Sequence, residues 1–126
     1  YLAGIDDVDN GTPDLAGVAA QVRKEDYVIF LSHSPAILSQ ALDAKDQNGD
    51  KGWFDLALCG HTHGGQIPLL RPLVRRANNG FIAGSYTVGS MLLYVNRGTG
   101  VWGGLPLRLG VPAEISLLTL HSGPPA

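Results

Sequence analysis

Apolar and polar residues follow one another in blocks along the chain, and these blocks predict a regular order of strands and helices. Apolar runs at residues 1–5 and 27–31, and the stretch 54–59 with Asp55 as its polar residue, predict buried strands, because a strand covered on both faces does not alternate. Apolar residues at helical spacing over 13–24 and after Pro35 predict a helix between each pair of strands. This order predicts right-handed crossovers and a parallel sheet, and so the α/β class.

The second half of the chain has a different pattern. Prolines and an Asn-Asn-Gly stretch predict a long irregular segment over residues 66–80. Two strands follow at 81–87 and 91–96, separated by a short hairpin turn. Residues 98–112 predict a glycine-rich loop, and alternating apolar positions over 114–120 predict a last strand.

Composition narrows the classes of function. The chain has 126 residues, which is the size of one domain, and charged residues make up 16%. A net charge of -2 gives no excess of Lys and Arg, so nucleic acid is not expected as a partner. One cysteine excludes an internal disulfide framework and a Cys-rich zinc module. Histidine must therefore supply any soft ligand to a metal.

Three of the four histidines follow buried strands. His33 comes after the second strand, and His61 and His63, flanked by glycines, come after the third. Parallel α/β sheets place their sites at the carboxyl ends of the strands, and imidazole is a common ligand for divalent transition metals. We therefore predict that these three histidines are metal ligands. Asp6 and Asp7 also end a strand, where they could reach a metal, but we interpret them as caps of the following loop.

Two motifs resemble a known family. An isolated histidine after a strand, here in Leu-Ser-His-Ser-Pro at residues 31–35, is followed by Gly-His-Thr-His-Gly-Gly-Gln at residues 60–66. These blocks resemble the last two signature motifs of the calcineurin-like metallophosphoesterases. Residues 94–100 and 112–115 look like the bacterial branch of small phosphodiesterases, whose members are often membrane-associated or exported.

The resemblance implies a fold, a cofactor and a reaction. The family fold is an α/β/β/α two-sheet sandwich with two divalent metal ions (Mn, Fe, Zn, Ni or Co). By this resemblance, His33 and His61 bind one metal and His63 binds the other. A metal-bound hydroxide at the dinuclear site would hydrolyse a phosphodiester, pyrophosphate or phosphomonoester. The expected substrate is a phosphate-ester small molecule or a lipid-linked one.

The family's earlier blocks, Asp-X-His, Gly-Asp-X-X-Asp and Gly-Asn-His followed by Asp or Glu, do not occur in the sequence. We therefore expect residues 1–126 to be the C-terminal part of a metallophosphoesterase domain, with the acid-base histidine in the missing N-terminal half. Alone, this chain should be inactive. Its expected partner is that half or another copy of the chain, because half a fold leaves apolar faces uncovered. The alternative is a non-catalytic metal-binding or interaction module.

The arginines offer further candidates. Arg97 lies in the stretch that resembles the family, and we predict that it binds substrate phosphate. Arg108 is a second candidate for that role, and the alternative for either arginine is an ion pair with an acid such as Glu114. Arg71, Arg75 and Arg76 follow the histidine pair, where they form either a solubilising face or a basic segment that meets an anionic substrate or lipid head groups.

Overall fold

The fold is built around one mixed sheet of five strands. The computed structural model describes residues 1–103 and 106–123. The strands are β1 (Leu2–Gly4), β2 (Ile29–Ser32), β3 (Leu56–Cys59), β4 (Gly84–Val88) and β5 (Met91–Val95). They lie in the order β1-β2-β3-β5-β4, with β4 antiparallel to β5 and the other neighbours parallel. The α/β class and the parallel order of the first three strands are confirmed. Within the described residues there is this single sheet.

The described part of the chain contains three short α-helices: α1 (Leu15–Ala19), α2 (Leu38–Asp43) and α3 (Arg71–Ala77). Helix α1 is shorter than the predicted 13–24. Its N-cap is Asp14, whose carboxylate accepts the Gly17 N–H. A 3-10 turn over Pro35–Ile37 precedes α2. None of the helices described here has the length and apolar character that crossing a bilayer requires.

The prediction of an irregular segment over residues 66–80 is wrong, because α3 lies within it. Pro72 occupies the first turn of α3, where its missing N–H costs no helical hydrogen bond. The helix ends at the buried Asn78, whose Nδ2 donates to the Val74 carbonyl over 2.9 Å. Ser34 Oγ donates to Asn78 Oδ1 over 3.1 Å, so the end of α3 is attached to the loop after β2.

The predicted last strand over residues 114–120 is also wrong, because no strand is present there. The alternation is real, but it places the polar side chains against the sheet. Ser116 Oγ lies 2.7 Å from the Tyr94 hydroxyl, whereas Ile115 and Leu117 are 90% and 93% exposed. The predicted loop over 98–112 has neither helix nor strand where it is described, and residues 104 and 105 lie outside the described part.

An aromatic cluster fixes the sheet to α2. Phe30 of β2 packs against Trp53 and Phe54, with ring centroids 5.1 and 5.2 Å away, and all three side chains are buried. Trp53 Nε1 donates to the Ala41 carbonyl of α2 over 2.8 Å. Burying an aromatic side chain of this size contributes about 1.5–3 kcal/mol. The cluster therefore holds β2 and β3 in a fixed relation, and with them the residues that follow these strands.

Candidate metal centre

His33 and His61 meet at the carboxyl edge of the sheet. Ser32, the last residue of β2, lies opposite Cys59, the last residue of β3, in a parallel register. The residues that follow these two strands are therefore brought side by side. His33 Nε2 lies 3.0 Å from His61 Nδ1, and the two rings are close to perpendicular at 79°.

The separation of these nitrogens suits two ligands of one metal ion. Two nitrogens that each lie about 2.1 Å from a metal, at angles near 90–110°, are about 3.0–3.4 Å apart. The His33–His61 pair matches this spacing at 3.0 Å. Among residues 1–103 and 106–123, no group of three or more His, Cys, Asp or Glu side chains is arranged to hold a metal ion. The pair thus fits two positions of a metal site and would need further ligands.

The backbone around the histidine pair is unusual. His61 and His63 have φ of 66° and 48°, in the left-handed region that non-glycine residues seldom adopt. The turn is fixed by Thr62, which is fully buried and whose Oγ1 donates to the Ile82 carbonyl over 2.6 Å. Such strain persists where the surrounding structure enforces it, and it is common at functional sites. This anchoring role of Thr62 is not visible from the sequence.

His63 contacts the glycine-rich loop. Its Nδ1 lies 3.1 Å from the Gly100 carbonyl oxygen and 3.1 Å from an Arg108 guanidinium nitrogen. When Nδ1 carries the proton, it donates to the Gly100 carbonyl and leaves the Nε2 lone pair available to a metal. Metal-bound histidines commonly donate their other ring N–H to a carbonyl in this way. The described hydrogen bonds of His63 therefore lie apart from those of the His33–His61 pair.

An acidic loop lies beside the pair. Asp7 Oδ2 lies 4.0 Å from His33 Nε2. Asp7 Oδ1 accepts the backbone N–H groups of Asp9 and Asn10, each over 2.9 Å, so the capping interpretation is confirmed. These bonds, with the Asp9 N–H first, lower the pKa of Asp7 and keep the carboxylate ionised. Asp7 and His33 come close because both follow neighbouring parallel strands.

The local environment keeps His61 neutral. Burial lowers the pKa of His61, and the neighbouring His33 lowers it further, while Asp9 and Asp7 act in the opposite direction. An imidazole must be neutral to bind a metal. At neutral pH the His61 ring is therefore in the state that a metal requires, beside carboxylates that favour a cation.

The two arginines beside the glycine-rich loop have different partners. Arg97 Nε donates to Glu114 Oε2 over 2.6 Å. Arg108 donates to the carbonyls of Arg97 and Gly98 over 2.8 and 3.0 Å, and no carboxylate in the described ranges lies within 4.0 Å of it. The role of Arg97 in binding substrate stays a prediction, and its guanidinium already has a structural ion pair.

Comparisons with known proteins find relatives that are named metallophosphoesterases or phosphodiesterases. Over 127 residues the chain is 39% identical to the uncharacterized metallophosphoesterase Cj0846 of Campylobacter jejuni, covering 94% of this chain and 31% of that protein. It is 37% identical over 95 residues to phosphodiesterase YaeI of Escherichia coli, covering 73% and 32%. A bovine transmembrane protein with metallophosphoesterase domain is 34% identical over 131 residues, covering 98% and 28%. The chain thus spans about a third of the length of these relatives.

Fold and site together define an α/β protein with a histidine cluster at the carboxyl edge of its sheet. The relatives assign the class more closely, and the chain belongs to the calcineurin-like metallophosphoesterases, as its histidine motifs predict. No family model matches the chain. No solved structure matches it significantly. Relatives occur in an animal as well as in bacteria, so membership of the family does not by itself indicate a bacterial origin.

Proposed function

We propose that this chain supplies part of the metal site of a phosphoesterase that hydrolyses a phosphodiester. The observation that carries the proposal is the 3.0 Å contact between His33 and His61 at the ends of adjacent strands. The relatives support the reaction class, since they are named metallophosphoesterases and, in one case, a phosphodiesterase.

In this proposal the histidines divide into two groups. His33 and His61 would hold one divalent ion, and His63, whose Nδ1 contacts the Gly100 carbonyl, would offer Nε2 to a second ion. When bound, such ions supply Lewis-acid activation of phosphoryl oxygens and of water. The chain's own contribution is orientation, because Thr62 fixes the turn that carries both histidines of the motif.

The acidic loop adds an electrostatic contribution. Asp7 stays ionised 4.0 Å from His33, and its negative charge favours a cation at the pair. Arg108 lies next to His63, with no carboxylate partner in the part of the chain that is described. The site thus combines a cation-favouring side with an arginine suited to an anion. A phosphate ester bound to a metal needs both.

The proposal is tested in the natural protein that contains these residues. Hydrolysis of bis(p-nitrophenyl) phosphate with Mn²⁺ is measured for the wild type, His33→Ala and His61→Ala. We expect each variant to lose at least about a hundredfold in kcat/KM while remaining folded by circular dichroism. The reason is that these histidines position the metal and do not pack in the hydrophobic core. His121→Ala is the matched control, and it should keep full activity. Wild-type rates in His61→Ala would refute the proposal.

A second candidate function is a non-catalytic metal-binding or interaction module. It is favoured by one observation, that residues 1–103 and 106–123 bring no three metal-binding side chains together. Under this alternative, Mn²⁺ or Zn²⁺ binds and His61→Ala abolishes binding, but the natural protein shows no hydrolysis. Isothermal titration calorimetry combined with the phosphodiester assay separates the two functions.

A further inference from the structure

An apolar groove of about 320 Å³ adjoins His61. Much of its wall comes from the 3-10 turn before α3 and from α3 itself, and it includes Leu70, Val74 and Ala77. These residues are spaced by three and four positions and so share one helix face. Trp102 also lines the groove, and its indole N–H donates to the His61 carbonyl over 3.4 Å. One end of the groove is therefore a candidate metal ligand, and the rest is apolar.

Two leucines of the same segment are largely exposed to solvent, and one of them, Leu73, also lines the groove. Leu69 and Leu73 are 86% and 67% exposed. Neighbouring exposed leucines next to an apolar groove form a continuous patch of the kind that marks a binding surface. The patch is held in place because Asn78, at the end of α3, is buried and bonded to Ser34 over 3.1 Å. The leucines are therefore presented outward by an anchored element.

The charge of this segment selects the kind of partner. Residues 66–80 contain Arg71, Arg75 and Arg76 and no Asp or Glu, although the whole chain has a net charge of -2. All three arginines are exposed, and no carboxylate in the described part of the chain lies within 4.0 Å of them. Apolar anchors flanked by arginines are the composition that binds anionic lipid surfaces.

We propose that residues 68–77 bind an anionic membrane surface and that the groove receives the apolar chain of a lipid phosphate ester, with its phosphate at His61. Leu69 and Leu73 would enter the boundary between head groups and acyl chains, and the arginines would contact lipid phosphates. The inference rests on the proposed function, which supplies the hydrolysis of the phosphate ester. In that reaction the oxygen of water bonds to phosphorus, one P–O ester bond breaks, and the leaving alcohol takes a proton from that water.

The surface is tested by co-sedimentation of the 126-residue chain with vesicles. One set contains phosphatidylcholine alone, and the other contains about 30% phosphatidylglycerol as the anionic lipid. We expect binding to the anionic vesicles at least about tenfold tighter than to the neutral ones. The double variants Leu69→Ser/Leu73→Ser and Arg71→Gln/Arg76→Gln should each weaken this binding at least about tenfold.

Matched controls test whether the loss of any exposed leucine or arginine weakens vesicle binding. Leu117→Ser removes a leucine that is 93% exposed elsewhere, and Arg23→Gln removes an exposed arginine after α1. Both variants should bind anionic vesicles like the wild type. Absent binding, equal binding to the two vesicle types, or equal losses in the controls would each overturn the membrane surface. If an acidic protein were the true partner, vesicle binding would be absent.

The groove is tested separately with soluble probes, followed through the indole N–H resonance of Trp102 by NMR. Dodecyl phosphate below its micelle concentration should shift this resonance at a concentration at least about tenfold lower than inorganic phosphate does, because the apolar chain contributes binding. The buried Trp53 indole is the internal control and should not move. Equal potency of the two probes would show an anion site alone and overturn the lipid assignment. Both binding tests need no hydrolysis, so failure of the proposed phosphoesterase function would leave them unchanged.

Discussion

Replacing Glu114 by Gln removes one charge from the network that supports the glycine-rich loop. The Glu114 carboxylate accepts hydrogen bonds from Arg97 Nε and Ser116 Oγ, each over 2.6 Å, and from the Tyr94 hydroxyl. The Glu114 N–H donates to the Gly98 carbonyl over 3.0 Å. The Glu114→Gln substitution keeps the side-chain volume, so its effect reports the charge and its hydrogen bonds.

The magnitude follows from the pKa of Glu114. Burial alone would raise this pKa, but hydrogen bonds from Ser116, Tyr94 and Arg97 outweigh burial and lower it from 4.5 to about 2. One pKa unit corresponds to about 1.4 kcal/mol, so the ionised carboxylate stabilises the fold by up to about 3 kcal/mol. Arg97 is 36% exposed, and solvent screening reduces the contribution to about 2 kcal/mol. Because the folded pKa is the lower one, this stability is complete well above pH 4.5 and is lost as the pH falls towards 2.

Urea unfolding followed by circular dichroism measures this contribution. At pH 7 we expect Glu114→Gln to lower the free energy of unfolding by about 2 kcal/mol, and the difference from wild type should shrink as the pH falls from about 5 towards 2. Glu25→Gln is the matched control, because Glu25 is exposed, and it should change stability by less than about 0.5 kcal/mol. An equal stability of Glu114→Gln and wild type at pH 7, or a difference that does not depend on pH, would refute the reasoning.

Three further substitutions or measurements test the supports of the site and the surface of the chain. Gly64→Ala would place a Cβ 2.7 Å from Val111 Cγ1 at a φ of 63°. Thermal unfolding should show a loss of about 1–3 kcal/mol in the free energy of unfolding. Gly49→Ala is the control and should cost less, because Gly49 has a φ of 85° but open space around it. Asn78→Ala leaves Ser34 Oγ without its acceptor and should lower the free energy of unfolding in urea by about 1–3 kcal/mol, whereas a loss below about 0.5 kcal/mol would contradict the anchoring of α3. The chain exposes 7636 Å², against about 6,500 Å² for a compact monomer of its mass, so light scattering should find a dimer or larger species, and a stable monomer at micromolar concentrations would count against association.

The parts of the fold that the sequence predicted are those fixed by local apolar patterns. The buried runs around Phe30 and Ala57 correspond to β2 and β3, and the strand–helix–strand order implies their parallel pairing. Helix α3 escaped prediction because Pro72 is a helix breaker in most positions but not in the first turn. The segment after Pro112 was mistaken for a strand because alternation does not show which set of side chains faces the sheet.

The sequence also predicted part of the site. The proximity of His33 and His61 follows from two adjacent parallel strands that end at the same edge. The left-handed backbone of His61 and the approach of Asp7 to His33 depend on tertiary contacts that sequence spacing does not contain. The ion pair of Arg97 with Glu114, 17 positions away, is one of the alternatives that the sequence left open, and the tertiary contact decides for it.

The central claim is that the carboxyl edge of this sheet binds a divalent metal through His33 and His61, with His63 beside them. Zinc titration of the metal-free, ¹⁵N-labelled chain, followed by NMR of the imidazole nitrogens, tests it most directly. The account predicts that the ring nitrogens of His33 and His61 shift together, that those of His63 also respond, and that those of His121 do not. A response confined to His121, or unchanged His33 and His61 resonances at saturating zinc, would contradict it.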